Sequence, residues 1–394
     1  MCDNEKVVGM AVPAPRISAM KRSGIREIMD LANRRPDTIR LEVGEPDFAT
    51  PAHVVEAACA AARGGYTHYT ASRGLPEVRE VIAAKLKAEN GIAAAPDDIL
   101  VTCGAVNALF ETLAALVSPG EKILVPDPGW PNYEMMAATL SARVERYPLL
   151  PGNGFLPDLE RLDRLAADPD VKVLVVNSPG NPTGAVFPRP VLERLVEIAQ
   201  RHDLFLVSDE CYEQIVFEGE HVSPATLADD GRVLSVFSMS KSYAMTGWRM
   251  GYVTGDSALI ELIAKTQEPV IACATAVAQK AGQAALSGDQ SYVREMVASY
   301  RSRRDMAVDL LRAGGALINE PRGAFYVLAD ISSCGMDSVA FARRLVTEKQ
   351  VAVVPGSTFG PAGSAMVRLS LATDREHLRI GTQRLLEARE EWSR

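Results

Sequence analysis

From about residue 50 the chain alternates two textures of hydrophobicity. Short apolar runs, partly β-branched, fall at 99–103, 122–125, 171–176, 204–207 and 233–237. Segments of helix length separate them, such as the one in which Val78, Val81, Ile82 and Leu86 recur at helical spacing. Buried strands linked by crossover helices give an α/β fold with a mostly parallel central sheet, and such sheets bind ligands beyond the carboxyl ends of their strands.

Turn residues set the expected boundaries. Thr50-Pro51 reads as an N-cap with proline at the first helical position, and Gly64 or Gly65 closes that helix. The next helix starts near Pro76 and ends at Asn90-Gly91. After about residue 286 a long charged amphipathic helix (290–313) leads into short strands at 324–328, 351–354 and 366–371. This predicts a large α/β domain over residues 50–285 and a smaller α+β domain over 286–394. Residues 1–49, with one helix-like stretch at 25–34, are expected to cross back and complete the smaller domain.

The 394 residues are 47% hydrophobic and 23% charged, enough for more than one core. A formal net charge of −8 without any Lys/Arg run argues against nucleic acid and membrane surfaces as partners. Cys2, Cys59, Cys103, Cys211, Cys273 and Cys334 are widely spaced, with no metal-ligand spacing, so free thiols and no metal are expected. With neither a signal-peptide pattern at the N-terminus nor a membrane-length apolar stretch, the expected location is the cytoplasm.

The chemistry concentrates after the apolar runs. Ser238-Met239-Ser240-Lys241 follows one of them, with Arg249 eight residues beyond the lysine. A lysine placed there can form an imine with an aldehyde cofactor while Ser238 and Arg249 bind a phosphate, although an isolated Ser-x-x-Lys is usually a surface loop. Asp209 closes the preceding run, with Tyr212 three residues on. In a dry site that aspartate could pair with a protonated pyridine nitrogen; alone it would read as a helix cap. Asn181, in the turn Asn177-Ser178-Pro179-Gly180-Asn181-Pro182-Thr183-Gly184, could be locked toward a ligand by a cis Asn–Pro bond, or the turn could simply reverse the chain. Thr102-Cys103-Gly104-Ala105-Val106 joins a strand to a helix and would aim the amides of Ala105 and Val106 at a phosphate, as many α/β junctions do. Trp130 could stack on a cofactor ring or sit in the core.

Taken in order, these segments resemble the class I/II aminotransferases, pyridoxal-phosphate enzymes of fold type I. The resemblance extends to Gly44-Glu45-Pro46-Asp47-Phe48, Tyr69 with Gly74-Leu75-Pro76, Gly323-Ala324-Phe325-Tyr326, Pro355-Gly356-Ser357 and Val367-Arg368-Leu369-Ser370. It implies that Lys241 holds pyridoxal 5′-phosphate as a Schiff base and is freed by substrate to act as general base. Asp209 would meet the pyridine nitrogen, Tyr212 and Asn181 the phenolic oxygen, and Trp130 the ring face. The phosphate would lie on Ala105, Val106, Ser238, Arg249 and a Tyr69 reaching across a homodimer, while Arg368 and the Gly44 backbone would take the substrate carboxylate. The implied reaction is ping-pong transfer of an α-amino group from an L-amino acid to a 2-oxo acid such as 2-oxoglutarate.

Residues that bind the cofactor do not distinguish transamination from β-elimination, decarboxylation or oxidation on the same scaffold. A regulatory protein retaining the fold is a third reading, one that calls for a nucleic-acid-binding extension. Val106 stands where bacterial aspartate-type relatives often carry lysine, and the stretch 270–273, expected near the substrate mouth, is apolar, both of which favour a neutral or aromatic donor. Phe325 and Tyr326 read as core, and Arg16, Lys21, Arg22 and Arg26 as solvated charges.

Overall fold

The computed structural model describes residues 13–20 and 24–393. Its strands in chain order are β1 (Ile39–Arg40), β2 (Ile99–Thr102), β3 (Lys122–Asp127), β4 (Arg143–Leu150), β5 (Leu156–Pro157), β6 (Val171–Asn177), β7 (Phe205–Asp209), β8 (Val233–Ser238), β9 (Gly251–Thr254), β10 (Tyr326–Asp330), β11 (Val351–Ala352), β12 (Val354–Pro355) and β13 (Met366–Ser370). Eight of them form the central sheet in the order β2-β9-β8-β7-β6-β3-β4-β5. The middle of the sheet, β8-β7-β6-β3-β4, is parallel throughout, and β9 lies antiparallel between β2 and β8.

The apolar runs are legible because these strands are buried on both faces, so they carry no alternation. All six residues of β8 and all four of β2 are buried. β4 and β9 do not stand out in the sequence for different reasons. β4 carries Arg143, Glu145 and Arg146 and is only partly buried, while β9 is only four residues long and follows directly on the loop after Lys241.

Registration brings the chemistry together. Asn177 at the end of β6 pairs with Asp209 at the end of β7, and Asp209 pairs with Val236 of β8. Three carboxyl ends therefore lie side by side at one edge of the sheet. The short helix Met239–Ser242 begins there, capped by the Ser238 hydroxyl, which accepts from the Ser240 amide at 3.1 Å.

Thr50 is not the N-cap that the sequence suggests. Pro51 occupies that position without a side-chain bond, and the Thr50 hydroxyl instead donates to the Ala244 carbonyl at 2.6 Å and accepts from the Trp248 indole at 3.0 Å. Tertiary partners have won over local capping, and they tie residue 50 to the lysine loop.

Beyond the central sheet, β10, β13 and β12 make an antiparallel sheet in that order, and β1 pairs with β11 in parallel. The expected single strand at 351–354 is split between these two sheets. Ile28, Ala32, Ile39 and Leu41 pack into one core with Phe341, Leu345, Val351 and Leu369. The helix Ser291–Ala313 runs close to the expected 290–313.

Candidate active site

A cavity of about 250 Å³ opens at the carboxyl ends of β6, β7 and β8. It is lined by Gly44, Ala105, Val106, Trp130, Asn181, Asp209, Tyr212, Ser238, Lys241, Arg249 and Arg368. The cavity thus gathers every predicted site residue except Tyr69, which is 88% exposed on the outside of the chain. A larger groove of about 870 Å³ follows the helix Ser291–Ala313 and contains none of them. The stretch 270–273 is absent from the cavity lining, and Val270 is exposed. Arg16 and Arg26 are exposed, Arg16 donating to the Thr139 carbonyl at 3.2 Å, whereas Lys21 and Arg22 lie outside the described residues.

The Lys241 amine donates to the Gly44 carbonyl at 2.6 Å. Withdrawal from water, chiefly, pulls its pKa down from the ordinary lysine range to about 8. About a tenth of the amine is therefore neutral at pH 7, and about half at pH 8, in the form that a nucleophile or general base requires.

Asp209 is buried, and its hydrogen-bond partners are both uncharged. Tyr133 donates to its Oδ2 at 2.6 Å, and the Cys211 amide donates to its Oδ1 at 3.2 Å. Burial pushes this carboxyl up despite those two bonds. A carboxylate so placed gains most from a cation brought in by a ligand.

Gly104 precedes the helix Ala105–Leu116 with φ +85°. A Cβ there would be strained by conformation and would have to push aside the Arg249 guanidinium, which lies 2.6 Å from its position. The turn leaves the first amides of the helix open to an anion beside Arg249. Arg249 itself is anchored to the Thr246 carbonyl at 2.8 Å and the Cys103 carbonyl at 3.3 Å.

Arg368, on β13, is almost fully buried. One terminal nitrogen donates to Asn181 Oδ1 at 3.0 Å and the other to the Glu42 carbonyl at 2.9 Å, while its Nε has no partner among the described residues. Asn181 precedes a cis bond to Pro182, and its own amide donates to Asn177 Oδ1 at 2.8 Å. Gly184, at φ +65°, permits the close approach of Pro321 that brings this turn against the loop leading to β10.

Three lining or supporting residues carry no role in the sequence reading. Tyr326 is buried as expected, yet it faces the site: its hydroxyl meets that of Tyr212 at 2.8 Å and its ring lies 4.1 Å from the Arg368 guanidinium carbon. Asn177 donates to the Asp209 carbonyl at 3.0 Å and thereby joins two strand ends. Tyr133, three residues beyond Trp130, holds Asp209. An aromatic on a strand or helix carries no sign of which neighbour it will meet, so only the fold exposes these roles.

The set fits pyridoxal 5′-phosphate by its chemistry: an amine with a depressed pKa for an aldehyde, a buried carboxylate lacking a cation for the ring nitrogen, a glycine-shaped anion cradle, and a buried guanidinium with an unused donor for a carboxylate.

Such a site on a mostly parallel α/β sheet fits an enzyme that handles amines through an aldehyde cofactor, and comparison with known proteins gives the family. The model for aminotransferase class I and II matches residues 36–385, and the chain belongs to that family. It is 42% identical over 376 residues to the aspartate/prephenate aminotransferase of Thermus thermophilus, covering 94% of this chain and 96% of that one. It is 38% identical to a bifunctional aspartate aminotransferase and glutamate/aspartate-prephenate aminotransferase of Petunia hybrida, over 95% of this chain and 82% of that one. Among solved structures, the Thermus thermophilus aspartate aminotransferase with maleate superposes with a TM-score of 0.92 at 41% identity, covering 96% of this chain and all of that one. The aromatic aminotransferase of Pyrococcus horikoshii gives 0.87 at 37% identity, with 92% and 99% covered. The chain is an aminotransferase, an enzyme that passes an amino group to a 2-oxo acid, and members of its family generally depend on pyridoxal phosphate.

Proposed function

We propose that this chain uses pyridoxal 5′-phosphate, tethered by Lys241, to move the α-amino group of an L-amino acid to a 2-oxo acid such as 2-oxoglutarate in a ping-pong cycle. The observation that carries the reading is the meeting of the Lys241 amine, the buried Asp209 and the buried Arg368 in one cavity. When bound, the cofactor supplies an aldehyde that captures amines and a ring that accepts the electrons left at the substrate Cα.

The residues supply the rest. Ala105 and Val106 amides, Ser238 and Arg249 bind the phosphate, Trp130 packs on the ring face, Asp209 pairs with the ring nitrogen, and Tyr212 and Asn181 serve the phenolic oxygen. Arg368 orients the amino acid through its α-carboxylate, with the Gly44 carbonyl close to Lys241. Lys241, neutral once substrate has displaced it, removes the Cα proton. Tyr69 of the partner subunit completes the phosphate site in a homodimer; its exposure in the single chain supports that reading.

Donor class follows from charge. Arg368, Arg249 and Lys241 are the basic residues of the lining, and each already has a task. The remaining wall includes Ile25, Val106, Leu109 and Trp130, which supports neutral or aromatic donors. An aspartate-type donor is the second reading, favoured by the name of the Thermus relative. Residues 50–285 are assigned to the cofactor-binding domain, and 1–49 with 286–394 to the smaller one. A cytoplasmic location is part of the same proposal, supported by free thiols at Cys59, Cys103, Cys211, Cys273 and Cys334; no helix among the described residues is long and apolar enough to cross a membrane.

Borohydride reduction of the cofactor-loaded protein followed by peptide mapping tests the tether. The label is expected on Lys241; label on another lysine, or none, overturns the assignment.

A further inference from the structure

We propose that Tyr133 is a positioning residue of this site, which holds the Asp209 carboxylate in one orientation and in its anionic form so that the cofactor ring nitrogen facing it stays protonated. The inference rests on the reading that pyridoxal 5′-phosphate occupies the cavity.

Tyr133 lies on the helix Asn132–Thr139 and reaches Asp209 across 76 positions of sequence. Both side chains are buried, and their 2.6 Å contact is in the range of a hydroxyl donating to a carboxylate. With the Cys211 amide on the other oxygen, the carboxylate is bonded at both atoms and cannot rotate without losing a bond. Each bond stabilises the charged form and works against burial.

The Cys211 side chain also favours the anion, and among the more distant groups Glu210, a like charge, opposes it. The Cys211 thiol is uncharged, held well above its ordinary value by burial. The charge of Lys241 bears on that same thiol. Burial and the charge of Asp209 push Tyr133 well above the usual tyrosine value, so it remains a donor throughout the working range. Tyr133 also meets the edge of Trp130, with ring centroids 5.4 Å apart at 84°. One side chain thus fixes both the ring-nitrogen partner and the residue that packs on the ring.

Tyr133→Phe keeps the ring and removes only the hydroxyl. Wild type and variant are loaded with pyridoxal phosphate labelled with ¹⁵N in the ring, and the ¹⁵N chemical shift is read at neutral pH. The wild-type shift is expected at the protonated position and the variant's displaced toward neutral pyridine. Loss of one charge-assisted bond should weaken cofactor binding roughly tenfold and lower kcat roughly tenfold, with the amino-acid KM within about twofold. The same substitution in an Asp209→Asn background should leave cofactor affinity unchanged, because the coupling partner is gone. Identical ¹⁵N shifts in wild type and Tyr133→Phe overturn the proposal, as does an equal affinity loss in the Asp209→Asn background, which would mark Tyr133 as packing alone. A wild-type protein that takes up no cofactor fails one step earlier and overturns the function proposed above together with this inference.

Discussion

Arg368 stacks on Tyr326: its guanidinium carbon lies 4.1 Å from the ring centroid, and the plane of the fork is held there by Asn181 and the Glu42 carbonyl. A buried guanidinium fixed on three sides presents its remaining N–H groups in fixed directions. That arrangement suits a planar carboxylate better than a flexible ammonium would.

The first prediction concerns that fork. Arg368→Lys retains the charge but not the bidentate geometry, and should raise the amino-acid KM by at least about tenfold while leaving cofactor affinity nearly unchanged. Parallel loss of cofactor and substrate binding in steady-state kinetics and cofactor titration would count against a substrate-binding role.

Lys241 gives a pH dependence. Its amine must be neutral to capture an aldehyde, and its pKa lies near about 8, so the rate of cofactor uptake by the apoprotein should rise with pH and reach half its maximum there. Stopped-flow mixing of apoprotein and cofactor measures it. A midpoint in the ordinary lysine range would show that the cavity does not tune the amine.

Glu111 concerns stability. It is fully buried, accepts from Asn107 Nδ2 at 2.7 Å, and is pushed by burial up to about 7. Because the folded pKa is above the unfolded one, the proton-linked stability is complete below the unfolded value and is lost as pH rises through about 7. Glu111→Gln should therefore stabilise the protein by on the order of 2 kcal/mol above that pH and progressively less below it. Asn107 accepts from the Cys103 amide at 3.0 Å, so the substitution also reports on the turn before Gly104. Denaturant melts at several pH values check this; a pH-independent difference contradicts it.

Much of this arrangement is legible in the amino-acid sequence alone. Lys241, Asp209 and Asn181 each end or follow an apolar run, and strands buried on both faces announce themselves as such runs. Gly104 follows a run of the same kind and marks the turn from strand to helix. What the sequence hides is who meets whom across the fold. Tyr133 and Tyr326 look like core because they are core, and their hydroxyl partners at Asp209 and Tyr212 come from distant parts of the chain. Thr50 follows the local rule for a cap and is overruled by Ala244 and Trp248. β4 is hidden by its charged residues and β9 by its shortness, four residues directly after the lysine loop.

The most direct test of the central claim is a single-turnover experiment on cofactor-loaded protein mixed with individual amino acids in the absence of a 2-oxo acid. Loss of the visible cofactor band, with pyridoxamine phosphate and a 2-oxo acid formed in equal amounts, is the predicted result, with neutral or aromatic donors reacting fastest. Persistence of the band with every donor, or release of ammonia or peroxide in place of pyridoxamine phosphate, would contradict amino-group transfer at this site.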